Sequence, residues 1–202
     1  MDDTIVLRLE FITIYFLIPI ILLIVNLKPL IFVSLILVSA YAYFILKKDK
    51  IFDFKILLKK VSWKKILIFN LIFTVNIYLY TIIFFPNLLF TLPKTNFNLW
   101  IVIIIFYPIL SAFPQEFIYR VFFFHRYKIL FNRNINYLII MNTIFFTFGH
   151  IIFLNFTSLL FTAVASPIFA IMYLRYSFFT CLLLHSFSGL LVFSFGLGRF
   201  FY

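Results

Sequence analysis

Seven apolar runs, each near the ~20 residues that a helix needs to cross a bilayer, follow one another along the chain with little between them. They cover roughly 11–27, 29–46, 66–85, 98–125, 137–154, 157–174 and 177–195. No soluble domain of 202 residues hides that much apolar surface: 65% of the chain is hydrophobic, 11% is charged and the mean hydropathy is +1.16. The expected fold is an all-α, polytopic membrane helix bundle of about seven transmembrane helices, bounded by six and eight. A single membrane domain is expected over 1–202. The chain opens Met1-Asp2-Asp3, with no basic stretch and no small-residue cleavage site, so the first run is expected to be a retained span. The short break at Lys28-Pro29 predicts a tight hairpin of the first two spans. The fourth run is too long for one straight span, and Pro108 and Pro114 should kink or split it. Cys181 is the lone cysteine, which excludes an intrachain disulfide and a cysteine zinc cluster.

A net charge of +11 raises the question of nucleic acid. The placement of the charge argues against that partner, because the basic residues sit in loops beside the spans, where such an excess marks orientation. Lys47, Lys48, Lys50, Lys55, Lys59, Lys60, Lys64 and Lys65 separate spans two and three. Arg126, Lys128 and Arg133 follow span four, Arg8 precedes span one and Arg175 joins spans six and seven. Seven spans put all of these on the cytoplasmic side and leave only Lys28, Lys94 and Arg199 outside. The N-terminus is therefore expected in the cytoplasm and the C-terminus outside. Within the basic stretch, Phe54, Leu57, Leu58 and Val61 recur at helical spacing. They predict an amphipathic helix lying in the cytoplasmic interface, with a solvated connector as the alternative.

Only six side chains are acidic, and Glu116 alone lies inside an apolar segment. Arg120 follows four residues later, on the same helical face. Two of the three histidines, His150 and His185, lie in other apolar segments. Ionisable groups inside a membrane are costly and usually face a protein interior or a water-filled cavity. The functional reading is a buried reaction centre. The plainer one is an ion pair that locks helices, with His150, Asn142 and Thr143 as interhelical hydrogen bonders. By count of residues, Glu116 and His185 should lie near the midplane and His150 about one turn nearer the outer face. Gly149 abuts His150 and Gly189 stands one turn beyond His185, where small residues permit close approach. A carboxylate and an imidazole can deprotonate water, and a second imidazole can donate to an oxyanion, which together suit peptide-bond hydrolysis. Glu116, His150 and His185 would also be a zinc set, although no His-Glu-x-x-His motif is present and no metal is favoured.

The stretch Gln115-Glu116-Phe117-Ile118-Tyr119-Arg120, then Phe146-Thr147-Phe148-Gly149-His150, then His185-Ser186-Phe187-Ser188-Gly189 resembles the CPBP family. These are the CAAX-protease and bacteriocin-processing intramembrane proteases, also called the ABI family. The resemblance covers 108–202, the motif-bearing core. It implies that His150 activates water, with Phe146 one turn before it in the same motif, and that His185 stabilises the oxyanion. Glu116 takes the second glutamate of the family's pair and Arg120 the arginine. Two positions depart from the pattern. Gln115 stands where the first glutamate is expected, and Gly189 where an asparagine is expected. The resemblance implies an endopeptidase acting on a peptide that enters from the bilayer or the cytoplasm, in contact with membrane lipid, in a bacterial plasma membrane. The alternative is a degenerate member serving self-immunity or scaffolding. A small transporter ranks below both, since no inverted repeat is visible.

Overall fold

In the computed structural model, which describes residues 3–27, 29–50 and 52–201, every apolar run is a helix. They are α1 Thr4–Val25, α2 Pro29–Lys48, α3 Trp63–Phe84, α4 Phe97–Arg126, α5 Ile135–Phe153, α6 Phe156–Arg175 and α7 Phe178–Ser194. The first six are long and apolar enough to cross a membrane. With 17 residues, α7 rises ~26 Å, near the lower limit for a span. No strand occurs among the described residues. Asp2, Lys28 and the side chains of Asp3 and Leu58 lie outside them.

The 30 residues of α4 form one continuous helix, and neither proline splits it. Pro108 opens a π-helical segment, Pro108–Ala112, and a second widened segment, Phe117–Phe122, follows Pro114. Proline lacks an N–H and crowds the carbonyl one turn back, and a wider turn accommodates both defects. Backbone carbonyls there need partners, since lipid offers none. Neighbouring helices supply them. Tyr15 Oη donates to Ile118 O at 2.9 Å, Asn142 Nδ2 to Tyr119 O at 2.6 Å and Ser39 Oγ to Pro114 O at 3.3 Å. These donors come from α1, α5 and α2, so α4 is the central post. All residues from Phe117 to Phe124 are buried, as a helix apolar on every side should be.

The stretch 54–61 departs from expectation. It holds a single five-residue 3-10 turn, Phe54–Leu58, in place of an amphipathic α-helix. Phe54, Leu57 and Val61 pack against the protein core. A loop anchored to the bundle, with Ser62 N donating to Thr180 Oγ1 at 3.0 Å, leaves too little chain for a separate interfacial helix.

At the same end of the bundle, Arg126 bridges Glu10 at 3.0 Å and Asp49 at 2.7 Å. Tyr41 and Tyr127 also donate to Glu10, at 2.9 and 2.6 Å. The start of α1, the lysine-rich end of α2 and the end of α4 therefore share one face. The last three helices are punctuated by local chemistry. Asn134, Asn155 and Ser177 cap the starts of α5, α6 and α7 with side-chain oxygens. Gly196, at φ +86°, turns the chain after α7 against the Leu88 carbonyl, where a Cβ has no room. α7 then packs on α3, α4 and α6, which places its His185 face inward.

Candidate active site

Glu116 and Arg120 share a face of α4, and both side chains are wholly buried. Arg120 Nε donates to Glu116 Oε2 at 3.0 Å. The guanidinium has further acceptors: Asn142 Oδ1 on α5, and Ser166 Oγ on α6 at 3.5 Å. It also lies 4.8 Å over the ring of Phe146. A buried arginine needs this many partners, because each unsatisfied donor in a low-dielectric interior is costly. Asn142 is thus the interhelical hydrogen bonder that its sequence context suggests.

Glu116 holds two more groups, both from α7. Cys181 Sγ donates to Oε2 at 2.7 Å, and His185 Nδ1 lies 2.7 Å from Oε1. A carboxylate only accepts, so Nδ1 carries the proton and, in the neutral ring, Nε2 carries the lone pair. His150 is fixed in the same way. Its Nδ1 meets Phe146 O at 2.8 Å, at the point where α5 tightens into the 3-10 turn His150–Phe153. Neither Nε2 has a hydrogen-bond partner among the described residues.

Both imidazoles line a cavity of about 150 Å³, together with Gln115 and Gly189. Its other walls are largely aromatic, with Phe73, Phe161, Phe193 and Phe201 among them. Phe146 packs against both histidines, 4.8 Å from the ring of His150 and 6.0 Å from that of His185. Phe169 stacks on His185 at 4.8 Å. Glu116 is absent from the lining and sits one layer behind it. The structure therefore brings Glu116, Arg120 and His185 into one bonded group, and His150, His185, Gln115 and Gly189 onto one cavity. His185 belongs to both. Gln115 Nε2 donates to Ser111 Oγ at 2.8 Å, while its buried Oε1 has no partner. Cys181, Phe169 and Tyr107 also belong to the site. No motif announces them, because each meets it through tertiary packing alone.

Among the described residues, no group of three or more His, Cys, Asp or Glu side chains is arranged to hold a metal ion. The zinc set of Glu116, His150 and His185 does not fit as it stands. Glu116 Oε1 faces the imidazole N–H, and its Oε2 receives both Arg120 and Cys181. His150 turns one nitrogen to a backbone carbonyl, and Glu116 is withdrawn from the cavity that His150 lines. Zinc needs carboxylate and imidazole lone pairs converging on one point.

Residues 96–191 match the family model described as type II CAAX prenyl endopeptidase Rce1-like. No curated protein matches the chain, and no solved structure does.

Proposed function

We propose that the chain is an endopeptidase for membrane-associated or lipidated peptides, a member of the CPBP family of CAAX-type intramembrane proteases; the match of residues 96–191 to the Rce1-like model supports this reading. The observation that carries this reading is the Glu116–His185 contact of 2.7 Å, with the opposite nitrogen of the ring unbonded at the cavity. A buried carboxylate on Nδ1–H fixes the tautomer and stabilises the imidazolium that forms when Nε2 accepts a proton.

His185 Nε2 takes a proton from water as the water oxygen attacks the peptide carbonyl carbon. The carbonyl oxygen becomes an oxyanion. The C–N bond then breaks while the imidazolium returns its proton to the leaving nitrogen, giving a carboxylic acid and an amine. His150, through its own Nε2, holds the attacking water. Glu116 is a positioning residue that acts through His185, and Arg120 balances its charge. The resemblance gives His185 to the oxyanion; the carboxylate behind it favours the proton-transfer role.

Gln115 favours a second reading. A neutral amide at the cavity, where the family pattern has a glutamate, suits a degenerate member that holds a peptide without cutting it, as a self-immunity or scaffolding protein would. In either case the protein is proposed to lie in a bacterial plasma membrane, with its N-terminus and lysine-rich loop cytoplasmic and its C-terminus outside.

The test is purified protein in liposomes with a side-chain-randomised pool of lipidated and unlipidated peptides, read by mass spectrometry for new termini. Cleavage by the wild type that is lost in His185→Ala supports the protease. Peptide retained uncut supports the second reading, and neither cleavage nor retention overturns both.

A further inference from the structure

His185, Gly189 and Phe193 stand one turn apart along the inner face of α7. The ring of Tyr107, from α4, lies across that face. It sits edge-on to His185, with centroids 6.2 Å apart, and edge-on to Phe193 at 5.5 Å. Between these two contacts, the ring edge and hydroxyl rest directly on Gly189. A Cβ at residue 189 would overlap both, so glycine is what admits the tyrosine. Tyr107 lines the same cavity as both histidines, and its hydroxyl has no hydrogen-bond partner among the described residues. A tyrosine hydroxyl in an apolar pocket normally finds a partner. This one is held by ring packing, beside an imidazole, with its donor uncommitted.

We propose that the Tyr107 hydroxyl donates a hydrogen bond to the carbonyl oxygen of the peptide held in this cavity, from the volume that a side chain at residue 189 would otherwise occupy. The inference rests on the peptide-handling reading above and adds the donor that reading lacks. Hydrolysis through His185 leaves the developing oxyanion in need of a fixed donor, and tyrosine is among the side chains that supply one. The position immediately before Pro108 suits the role. The π-helical segment begins at Pro108, which has no backbone N–H, so Tyr107 stands directly at the start of the widened turn.

The experiment uses the full chain in liposomes. Tyr107→Phe keeps the ring and its packing and removes only the donor. Turnover of a peptide that the wild type cleaves should fall about 10²- to 10³-fold, with KM changed little. Tyr107→Ala should lose activity comparably, and adding Gly189→Asn to it should recover part, because an amide can then reach the vacated volume. A Tyr107→Phe variant within twofold of wild type in turnover overturns the proposal while leaving the protease reading intact. Where the wild type does not cleave, a pool of peptidyl trifluoromethyl ketones serves as probe, since their hydrates present tetrahedral oxygens. Binding is read as protection of the detergent-solubilised protein against heating. Protection in the wild type that is lost in Tyr107→Phe supports the donor although the protease reading fails. Equal protection in both, or none in either, overturns it.

Discussion

Glu116 Oε1 and His185 Nδ1 stand 2.7 Å apart on two different helices, and no oxygen of Glu116 opens onto the cavity. The one intramembrane carboxylate is thus bonded to a guanidinium, a thiol and an imidazole, and it reaches the cavity only through His185. In the proposed mechanism, structural and chemical duties fall on the same atoms. Glu116→Gln separates them by magnitude. It leaves Arg120 buried without its counter-charge, which costs about 3–5 kcal/mol for a broken buried pair. It should also lower turnover by about 10²- to 10⁴-fold, since an amide neither fixes the tautomer nor stabilises the imidazolium. Thermal unfolding in detergent and turnover on the folded fraction measure the two effects. Full turnover on the folded fraction would reduce Glu116 to a structural partner of Arg120.

His150 and His185 line one cavity, and Phe146 packs against both. If both handle the same water, their losses do not add. His150→Ala and His185→Ala should each abolish most turnover, and the double variant should be little worse than the more damaged single one. Multiplicative losses would show two independent roles.

Gln115 presents a buried, unpartnered Oε1 at the cavity wall. Gln115→Glu keeps the shape and adds a base to the cavity that His150 lines. Turnover should rise if the neutral amide limits the chemistry, and a chain that only retains peptide should begin to cut it. Unchanged behaviour in both assays would remove Gln115 from any account of low activity.

Much of the architecture was legible because lipid imposes a length on every spanning helix. The runs at 29–46 and 157–174 sit inside α2 Pro29–Lys48 and α6 Phe156–Arg175. The Glu116–Arg120 pair was legible too, since four residues along a helix bring two side chains onto one face. The widened turns of α4 were not, because no residue type signals an i→i+5 pattern and proline is equally compatible with a kink or a break. Phe54, Leu57 and Val61 have helical spacing, yet periodicity cannot tell a face turned to lipid from one turned to the bundle core. The Cys181 bond to Glu116 spans 65 residues of chain, and the seat of Tyr107 on Gly189 is likewise a product of packing. Depth along separate helices placed His150 a turn from His185. In the fold both rings pack against Phe146.

Gly196 tests the packing that closes the cavity from the C-terminal side. Its φ of +86° disfavours any side chain, and a Cβ there would strike the Leu88 carbonyl. Gly196→Ala should destabilise the fold by about 1–3 kcal/mol, the usual cost of a residue held in a sparsely populated backbone region. The 3-10 turn Leu197–Phe201 carries Phe201 into the cavity wall, so peptide retention should weaken as well. Chemical unfolding in detergent measures the first effect. Wild-type stability would mean that the loop at Leu88 yields readily.

Orientation is tested by labelling. Arg126, Glu10 and Asp49 tie the start of α1, the end of α2 and the end of α4 to one face, so these segments must share a side of the membrane. Lys94 lies between α3 and α4, at the opposite ends of those helices, and belongs to the other side. The excess of lysine at 47–65 predicts that the first face is the cytoplasmic one. In a Cys181→Ser background, which keeps a donor for Glu116, Lys94→Cys should react with a membrane-impermeant maleimide added to intact cells. Lys50→Cys should react only after the membrane is opened. Labelling of Lys50→Cys from outside would invert the orientation and put the lysine-rich face, with the Glu10–Arg126 cluster, on the outer surface.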